Sequence, residues 1–163
     1  MTLHEGWMKY ALREAGRAFE HNEVPVGAVI VHNNTIIAKG YNQVEMMHDP
    51  TAHAEMIALT AAASHLESKF LKDCILYVTM EPCPMCAGAI VLARVPTVVF
   101  GCYDPKMGAS GSVINVTENK KLNHQVHVIG GVLDAECGGL LKEFFEKMRK
   151  EKPKQRAGSR RSD

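Results

Sequence analysis

The 163-residue chain has no long hydrophobic run. Its longest uncharged apolar stretch extends from Met85 to Ala93, far short of the about 20 residues that a bilayer-spanning helix requires. The first residues, Met1 to Trp7, lack the basic segment and apolar core of a secretory signal peptide. We therefore expect a cytoplasmic protein that has no membrane partner.

The cysteines are not arranged for disulfide bonding. There are five of them, an odd number, which argues against a disulfide framework in a chain without a visible export signal. Only Cys83 and Cys86 form a C-x-x-C motif. The second such pair that commonly completes a structural zinc site is missing, because Cys74, Cys102 and Cys137 stand alone. Reduced thiols are therefore available as metal ligands.

Charge is balanced overall but not along the chain. Between Lys147 and Arg161 there are eight basic residues and one acidic residue, so this segment carries +7 and the remainder carries −6. Such a tail fits a polyanionic partner or a solubilising extension, and charge alone does not choose between them. With 46% apolar residues, the length suits one domain, residues 1–150, followed by a flexible basic tail, residues 151–163.

The periodicity of apolar residues predicts an α/β fold. Apolar residues recur at helical spacing from Thr2 to His21, and two asparagines, Asn33 and Asn34, predict a tight hairpin between two β-rich runs. A hairpin followed by alternating helices and strands predicts a mixed five-stranded sheet with helices on both faces. Strands are predicted over 26–31, 36–41, 75–79, 97–102 and 126–129, and later helices from Pro50-Thr51 to Leu66, Pro84 to Arg94 and Asp134 to Arg149.

Three residues form a predicted zinc site, and a fourth predicts its chemistry. Cys83 and Cys86 are spaced to hold one ion at a helix start, and His53 completes a set of three ligands that leaves one position for water. Glu55 follows His53 by two positions, and a hydrolytic site needs a carboxylate to move the protons of the attacking water. A redox dithiol or a structural zinc site needs no His-x-Glu partner. We therefore expect one catalytic Zn²⁺ per subunit.

The arrangement H-x-E…P-C-x-x-C is the known signature of zinc nucleobase deaminases, and both halves are present. Beyond it, the chain resembles the bacterial tRNA adenosine deaminases from Trp7 to about Arg149. The matching segments include Glu23 to Ala28, Asn42, His48 to Glu55, Leu76 to Thr79, Glu81 to Cys83, Cys86 to Ala89, Val99 to Gly101, Asp104, Lys106, Gly108 to Ser112, Asn123-His124 and Phe144-Phe145. The metal motif is shared with cytidine, deoxycytidylate and guanine deaminases, so the 104–112 segment and the Phe-Phe helix favour the tRNA enzymes.

The resemblance implies a cytidine-deaminase-like three-layer fold, a homodimer and a tRNA anticodon stem-loop as substrate. It further implies that Asn42 hydrogen-bonds the target base with help from the Ala54 amide, and that Asp104 and Lys106 contact the flanking nucleotides or their backbone. The last helix, with Phe144, Phe145 and Arg149, would shape the pocket that accepts the anticodon. Wobble adenosine would become inosine.

Two other functions stay open at this point. A deaminase of a free base or nucleoside, of the guanine or cytosine type, would use the same fold and metal motif. A zinc-stabilised RNA-binding module without catalysis is of another class, and Glu55 speaks against it because binding alone needs no acid–base carboxylate.

Overall fold

The computed structural model describes residues 1–151 and contains five strands and five helices. The predicted basic tail, residues 151–163, lies outside the described residues except for Glu151. In chain order the elements are α1 (Leu3–Glu20), β1 (Gly27–His32), β2 (Thr35–Tyr41), α2 (Val44–Met47), α3 (Ala54–Leu66), β3 (Cys74–Met80), α4 (Pro84–Leu92), β4 (Thr97–Cys102), β5 (His127–Ile129) and α5 (Asp134–Glu151).

The strands form one mixed sheet in the order β2-β1-β3-β4-β5. β1 pairs antiparallel with β2 and β3, whereas β3 and β4, and β4 and β5, run parallel. The β1–β2 hairpin turns at Asn33 and Asn34, whose φ angles of 50° and 57° are those that a two-residue hairpin turn requires. The predicted α/β class, the mixed five-stranded sheet and the hairpin are confirmed.

Helices cover the sheet on two faces. α1 and α5 pack together on one face, and α3 and α4 pack together on the other. The centre of the sheet is fully buried, with Ile30, Leu76, Tyr77 and Val98 at 0% exposure. α1 approaches β1 so closely that a Cβ at Gly27 would meet the backbone of Ala11 and Ala15. Within residues 1–151, none of the helices combines the length and apolarity needed to span a bilayer.

The predicted start of the second long helix at Pro50-Thr51 is wrong. The Asp49 carboxylate accepts hydrogen bonds from the amide and the hydroxyl of Thr51, which closes a turn instead of starting a helix. α3 begins at Ala54, with His53 as its N-cap residue. The short helix α2 was not predicted, and α4 ends at Leu92 because Arg94 adopts a left-handed φ of 58°.

Candidate active site

Three ligating side chains converge where the N-termini of α3 and α4 meet. His53 Nδ1 lies 3.6 Å from Cys83 Sγ and 3.6 Å from Cys86 Sγ. All three donor atoms lie within 4.8 Å of one another. With Zn–S of about 2.3 Å and Zn–N of about 2.05 Å, tetrahedral zinc holds a sulfur and a nitrogen about 3.6 Å apart. The observed spacing therefore fits zinc, and the residues leave one coordination position for another ligand.

The local sequence explains how two thiols reach one point. Cys83 is the N-cap of α4, Pro84 fills its first position, and Cys86 follows within the first turn. The positive end of the helix dipole favours a thiolate there. Hydrogen bonds from Cys86 and His53 lower the pKa of Cys83 to about 4, against the opposing effect of burial.

The neighbouring Cys86 and His53 retain their protons more strongly beside the Cys83 sulfur. The Cys86 thiol donates to the Cys83 sulfur and is buried, and both effects raise the pKa of Cys86. The hydrogen bond to Cys83 likewise raises the pKa of His53, against desolvation. Binding of a metal ion would release these protons, since its ligands must be thiolates and neutral imidazole.

Glu55 lies in the first turn of α3 and is only 4% exposed. Burial raises the pKa of its carboxyl to about 7, although the backbone amide and the neighbouring His53 oppose this change. A carboxyl group that titrates near neutrality can both accept and return a proton, as hydrolytic deamination requires.

Asn42 lies at the end of β2 and is oriented by the backbone of α3. Its Oδ1 accepts a hydrogen bond from the Ala54 amide at 2.8 Å. The same bond satisfies a free amide at the start of α3, where His53 provides no side-chain cap. It leaves the Asn42 Nδ2 group as the donor available to a ligand.

A cleft of about 1120 Å³ opens over these groups. Of the residues predicted from sequence, it is lined by Asn42, His53, Glu55, Cys83, Asp104, Phe144 and Phe145. Lys106 and Arg149 are exposed and do not line it, and Cys86 and Ala54 are buried behind its wall. The Asp104 Oδ1 atom accepts the amides of Lys106 and Met107, so this carboxylate shapes its own loop.

Tyr103 packs away from the cleft. Its ring meets Phe100 edge-on with 5.0 Å between ring centroids, and it lies over Gly130 and Gly131. A Cβ at Gly130 would lie 2.5 Å from the Phe100 ring and 2.9 Å from the Tyr103 hydroxyl, so glycine lets both side chains pack here.

Sequence reasoning missed two buried acids that line the cleft, Glu23 and Glu81. The Glu23 carboxylate accepts the amides of Glu45 and Met46 and thereby holds α2. Burial alone would raise the pKa of Glu81, but hydrogen bonds from Ser112, Asp104 and Ser110 bring it below its ordinary value. The available signal was an acidic residue directly before apolar residues, Glu23 before Val24-Pro25 and Glu81 before Pro82-Cys83.

Comparison with known proteins identifies the family. A family model described as MafB19-like deaminase matches residues 2–149. A tRNA-specific adenosine deaminase of Bacillus subtilis (strain 168) is 50% identical over 152 residues, which cover 93% of this chain and 94% of the relative. The chain belongs to the tRNA-specific adenosine deaminase family. The resemblance found in the sequence is therefore confirmed.

Two solved structures also support the assignment of this chain to the family. One, from a study of A-to-I editing by tRNA:A34 deaminases, superposes with a TM-score of 0.80 at 38% identity, covering 83% of this chain and 98% of that one. A guanine deaminase of Bacillus subtilis superposes with a TM-score of 0.60 at 43% identity, covering 63% of this chain and 66% of that one. The deaminase thus has the cytidine-deaminase-like fold, and its His53, Cys83 and Cys86 group could hold the zinc ion that such enzymes use.

Proposed function

We propose that this protein is a zinc-dependent hydrolytic deaminase that converts adenosine to inosine at the wobble position of a tRNA anticodon. The observation that carries the proposal is the buried Glu55 carboxyl beside the His53, Cys83 and Cys86 group, at the base of an open cleft. The tRNA substrate is supported by the Bacillus subtilis relative, which is 50% identical and is named tRNA-specific adenosine deaminase.

The reaction assigns a proton-transfer role to Glu55. When bound, one zinc ion per subunit would lower the pKa of a water molecule, so that a nucleophile is available at neutral pH. Glu55 accepts a proton from that water and delivers it to N1 of adenine as C6 is attacked. Glu55 then takes the remaining proton of the added water from the new C6 hydroxyl and passes it to the amine, and ammonia leaves. Adenosine and water thus become inosine and ammonia.

The remaining residues hold the RNA. The Asn42 Nδ2 group donates to an acceptor on the purine edge, and the Ala54 amide assists indirectly, because it fixes Asn42. Asp104 and Phe145 stand at the cleft wall near the flanking nucleotides, and Phe144 supports that wall from inside. Lys106 and Arg149 are exposed outside the cleft, where they contact backbone phosphates of the stem-loop.

Substrate preference tests the proposal directly. Inosine formation and ammonia release are measured on an anticodon stem-loop with adenosine at the wobble position, and in parallel on free guanine, adenosine and cytidine. We expect turnover on the stem-loop to exceed turnover on each free compound. Faster turnover of any free compound would overturn the assignment of tRNA as the substrate, but the protein would still be a deaminase.

Deamination of free guanine is the second candidate, because the Bacillus subtilis guanine deaminase structure is 43% identical over 63% of this chain. The open cleft favours the RNA substrate, since a free base would leave most of its about 1120 Å³ unfilled. A non-catalytic RNA-binding module is disfavoured by the buried Glu55, which costs free energy to bury and serves no purpose in binding alone.

We also propose a homodimer formed through α4. The side of this helix turned away from the sheet is wholly apolar, and Leu92 on it is 78% exposed. Gly88 and Ala89 on the same side are small enough for close helix approach. The complete row is Pro84, Met85, Gly88, Ala89 and Leu92. Pro84 and Met85 also line the cleft, so the dimer interface would border the active site.

Light scattering of Leu92→Glu tests the dimer. Leu3→Glu is the matched control, because Leu3 is 67% exposed on α1, in the opposite helical layer. We expect Leu92→Glu to be monomeric and the control to keep the mass of a dimer. A parent chain with the mass of a monomer contradicts the proposal.

We propose the cytoplasm as the compartment. All five cysteines are free thiols in the structure, as is usual in reducing compartments. Cell fractionation with an antibody checks this, and recovery of the protein outside the cytoplasmic fraction contradicts it.

A further inference from the structure

Glu81 is a buried carboxylate with no part in the proposed proton transfers. It lies between the end of β3 and the metal-site residue Cys83, and it is 3% exposed. Burying a carboxylate is costly unless it is paired or hydrogen-bonded. The groups that donate hydrogen bonds to the Glu81 carboxylate therefore indicate its role.

Within residues 1–151, the hydrogen bonds that the Glu81 carboxylate accepts all come from one loop, residues 104–112, which we call the substrate loop. Oε1 accepts the Asp104 amide at 3.1 Å and the Ser112 hydroxyl, and Oε2 accepts the Ser110 and Ser112 amides, both at 3.1 Å. The donors come from both ends of the loop. The Glu81 carboxylate thus holds the two ends of the substrate loop together.

The substrate loop also packs on Glu81 at its middle. A Cβ at Gly108 would lie 2.5 Å from the Glu81 carboxylate, so only glycine fits where the loop passes over it. The Ala109 amide donates to the Pro82 carbonyl at 2.8 Å, and the Glu81 amide donates to the Cys102 carbonyl at 2.9 Å. The loop is therefore tied to the segment that leads into Cys83.

The donors around Glu81 require two acceptor oxygens. Glutamine has the same shape but one carbonyl oxygen, and its NH₂ group would face amides that also donate. Buried donors would then be left without acceptors, which pushes the loop away. The geometry therefore distinguishes a carboxylate from its amide at this position.

We propose that Glu81 is a positioning residue that sets the substrate loop against the metal centre and thereby determines how tightly the RNA is held. Asp104 and Met107 of this loop line the cleft, so movement of the loop changes the wall that the RNA meets. The inference rests on the proposed function and adds to it a residue that does not touch the reacting atoms.

Glu81→Gln tests the role, with Glu14→Gln as the matched control. Glu14 is a similarly buried carboxyl at 4% exposure, but it lies on α1 and does not line the cleft. For each full-length variant loaded with zinc, we would measure zinc content, the unfolding midpoint, and kcat and KM on the anticodon stem-loop. The Kd of the stem-loop is measured by fluorescence anisotropy in a Glu55→Ala background, where no turnover occurs.

For Glu81→Gln we expect one zinc per chain and a rise in KM and Kd of at least about tenfold, larger than the fall in kcat. The control keeps the parental KM and Kd. An unchanged Kd in Glu81→Gln overturns the role, as does an equal loss in Glu14→Gln. Should Glu81→Gln fail to fold, Ser112→Ala removes one donor and is expected to raise Kd by a smaller factor, and parental Kd there overturns the role.

The parent chain separates this proposal from the proposed function. A parent that makes no inosine from the stem-loop overturns the function, and the Glu81 role with it. A parent that makes inosine, together with an unaffected Glu81→Gln, overturns only the role of Glu81.

Discussion

The side chain of Asn42 and the backbone of Ala54 are joined by a hydrogen bond of 2.8 Å, in which the Ala54 amide donates to Oδ1. Asn42 follows β2 and Ala54 begins α3, so this bond fixes the start of α3 relative to the sheet. It also settles which end of the amide is free. The Nδ2 group is left as a donor at the cleft, which Asn42 lines.

Asn42→Asp should therefore lose substrate binding while the fold is kept. A carboxylate can still accept from Ala54, but it has no hydrogen to donate to the purine. We expect kcat/KM on the stem-loop to fall about 5- to 150-fold, from roughly 1 to 3 kcal/mol for the purine acceptor left unpaired. Asn119→Asp is the control, because Asn119 Oδ1 also accepts a backbone amide but lies in an exposed loop outside the cleft. Equal losses in both variants would contradict the assignment.

Glu55→Gln should abolish turnover without removing the metal. Glutamine keeps the shape of the side chain but cannot carry the proton, so kcat is expected to fall by about 10²- to 10⁴-fold or more. Elemental analysis should still find one zinc per chain, because the ligand atoms belong to His53, Cys83 and Cys86. Proton transfer by a side chain typically contributes at least about 100-fold. Retention of more than a tenth of parental kcat would therefore exclude Glu55 as the proton carrier.

Local patterns predicted the parts of the fold that local interactions determine. Asn33 and Asn34 mark the hairpin because their own backbone preferences make the turn. The C-x-x-C motif marks the start of α4 because both thiols and Pro84 belong to its first turn.

Contacts between distant segments explain what the sequence left unpredicted. α3 begins at Ala54 because Asn42, twelve positions earlier, accepts its first amide. α2 is held by Glu23, 22 positions before Glu45. The conformation of the substrate loop depends on Glu81, which lies 23 positions before Asp104. The residues of each pair lie too far apart in the sequence to be related by the periodicity of apolar residues within one helix or strand.

Thiol reactivity should divide the cysteines into two groups. Burial raises the pKa of Cys102 to about 11 and that of Cys137 to about 12, and it also raises the pKa of Cys74. Cys83 is half-buried with a lowered pKa. Cys86 is fully buried and its pKa is raised. After chelation of zinc from the folded protein, an aromatic disulfide reagent should therefore modify Cys83 first. The other four should react only after unfolding, as mass spectrometry of labelled peptides can show. Early labelling of Cys137 would contradict this order.

Stability should fall at alkaline pH because of Tyr77. Its hydroxyl is hydrogen-bonded to His4 Nδ1 at 2.8 Å, and burial raises its pKa from 10 to about 12. The unfolded chain loses the Tyr77 proton above pH 10, whereas the folded chain keeps it until about pH 12. Stability is therefore unaffected below pH 10 and decreases between these values, by about 2 to 3 kcal/mol in all.

Urea unfolding of the parent chain and of Tyr77→Phe at several pH values checks this sign. The variant should be less stable at neutral pH by about 1 kcal/mol, because the hydrogen bond to His4 is lost. It should also lose less stability than the parent above pH 10, since it has no proton to release at this position. Parallel curves for the two proteins would show that Tyr77 does not cause the alkaline decrease.

Phe144 and Phe145 are neighbours on α5, but their replacement by alanine should affect different properties, namely stability for Phe144 and stem-loop binding for Phe145. Phe144 is 4% exposed and packs edge-on against Phe19, with 5.8 Å between ring centroids. Phe145 is 45% exposed and lines the cleft. Phe144→Ala should lower the free energy of unfolding by about 3 to 5 kcal/mol, because it leaves a cavity between α1 and α5.

Phe145→Ala should change stability little and weaken stem-loop binding, since an exposed ring at the cleft can stack on an unpaired base at about 1 to 3 kcal/mol per base. Urea unfolding and fluorescence anisotropy measured on both variants separate the two effects. The reverse pattern, with stability lost in Phe145→Ala and affinity lost in a stable Phe144→Ala, would mean that the buried ring reaches the RNA. That result would require α5 to turn about its axis on binding, because Phe144 packs on Phe19 and is 4% exposed, whereas Phe145 is 45% exposed at the cleft.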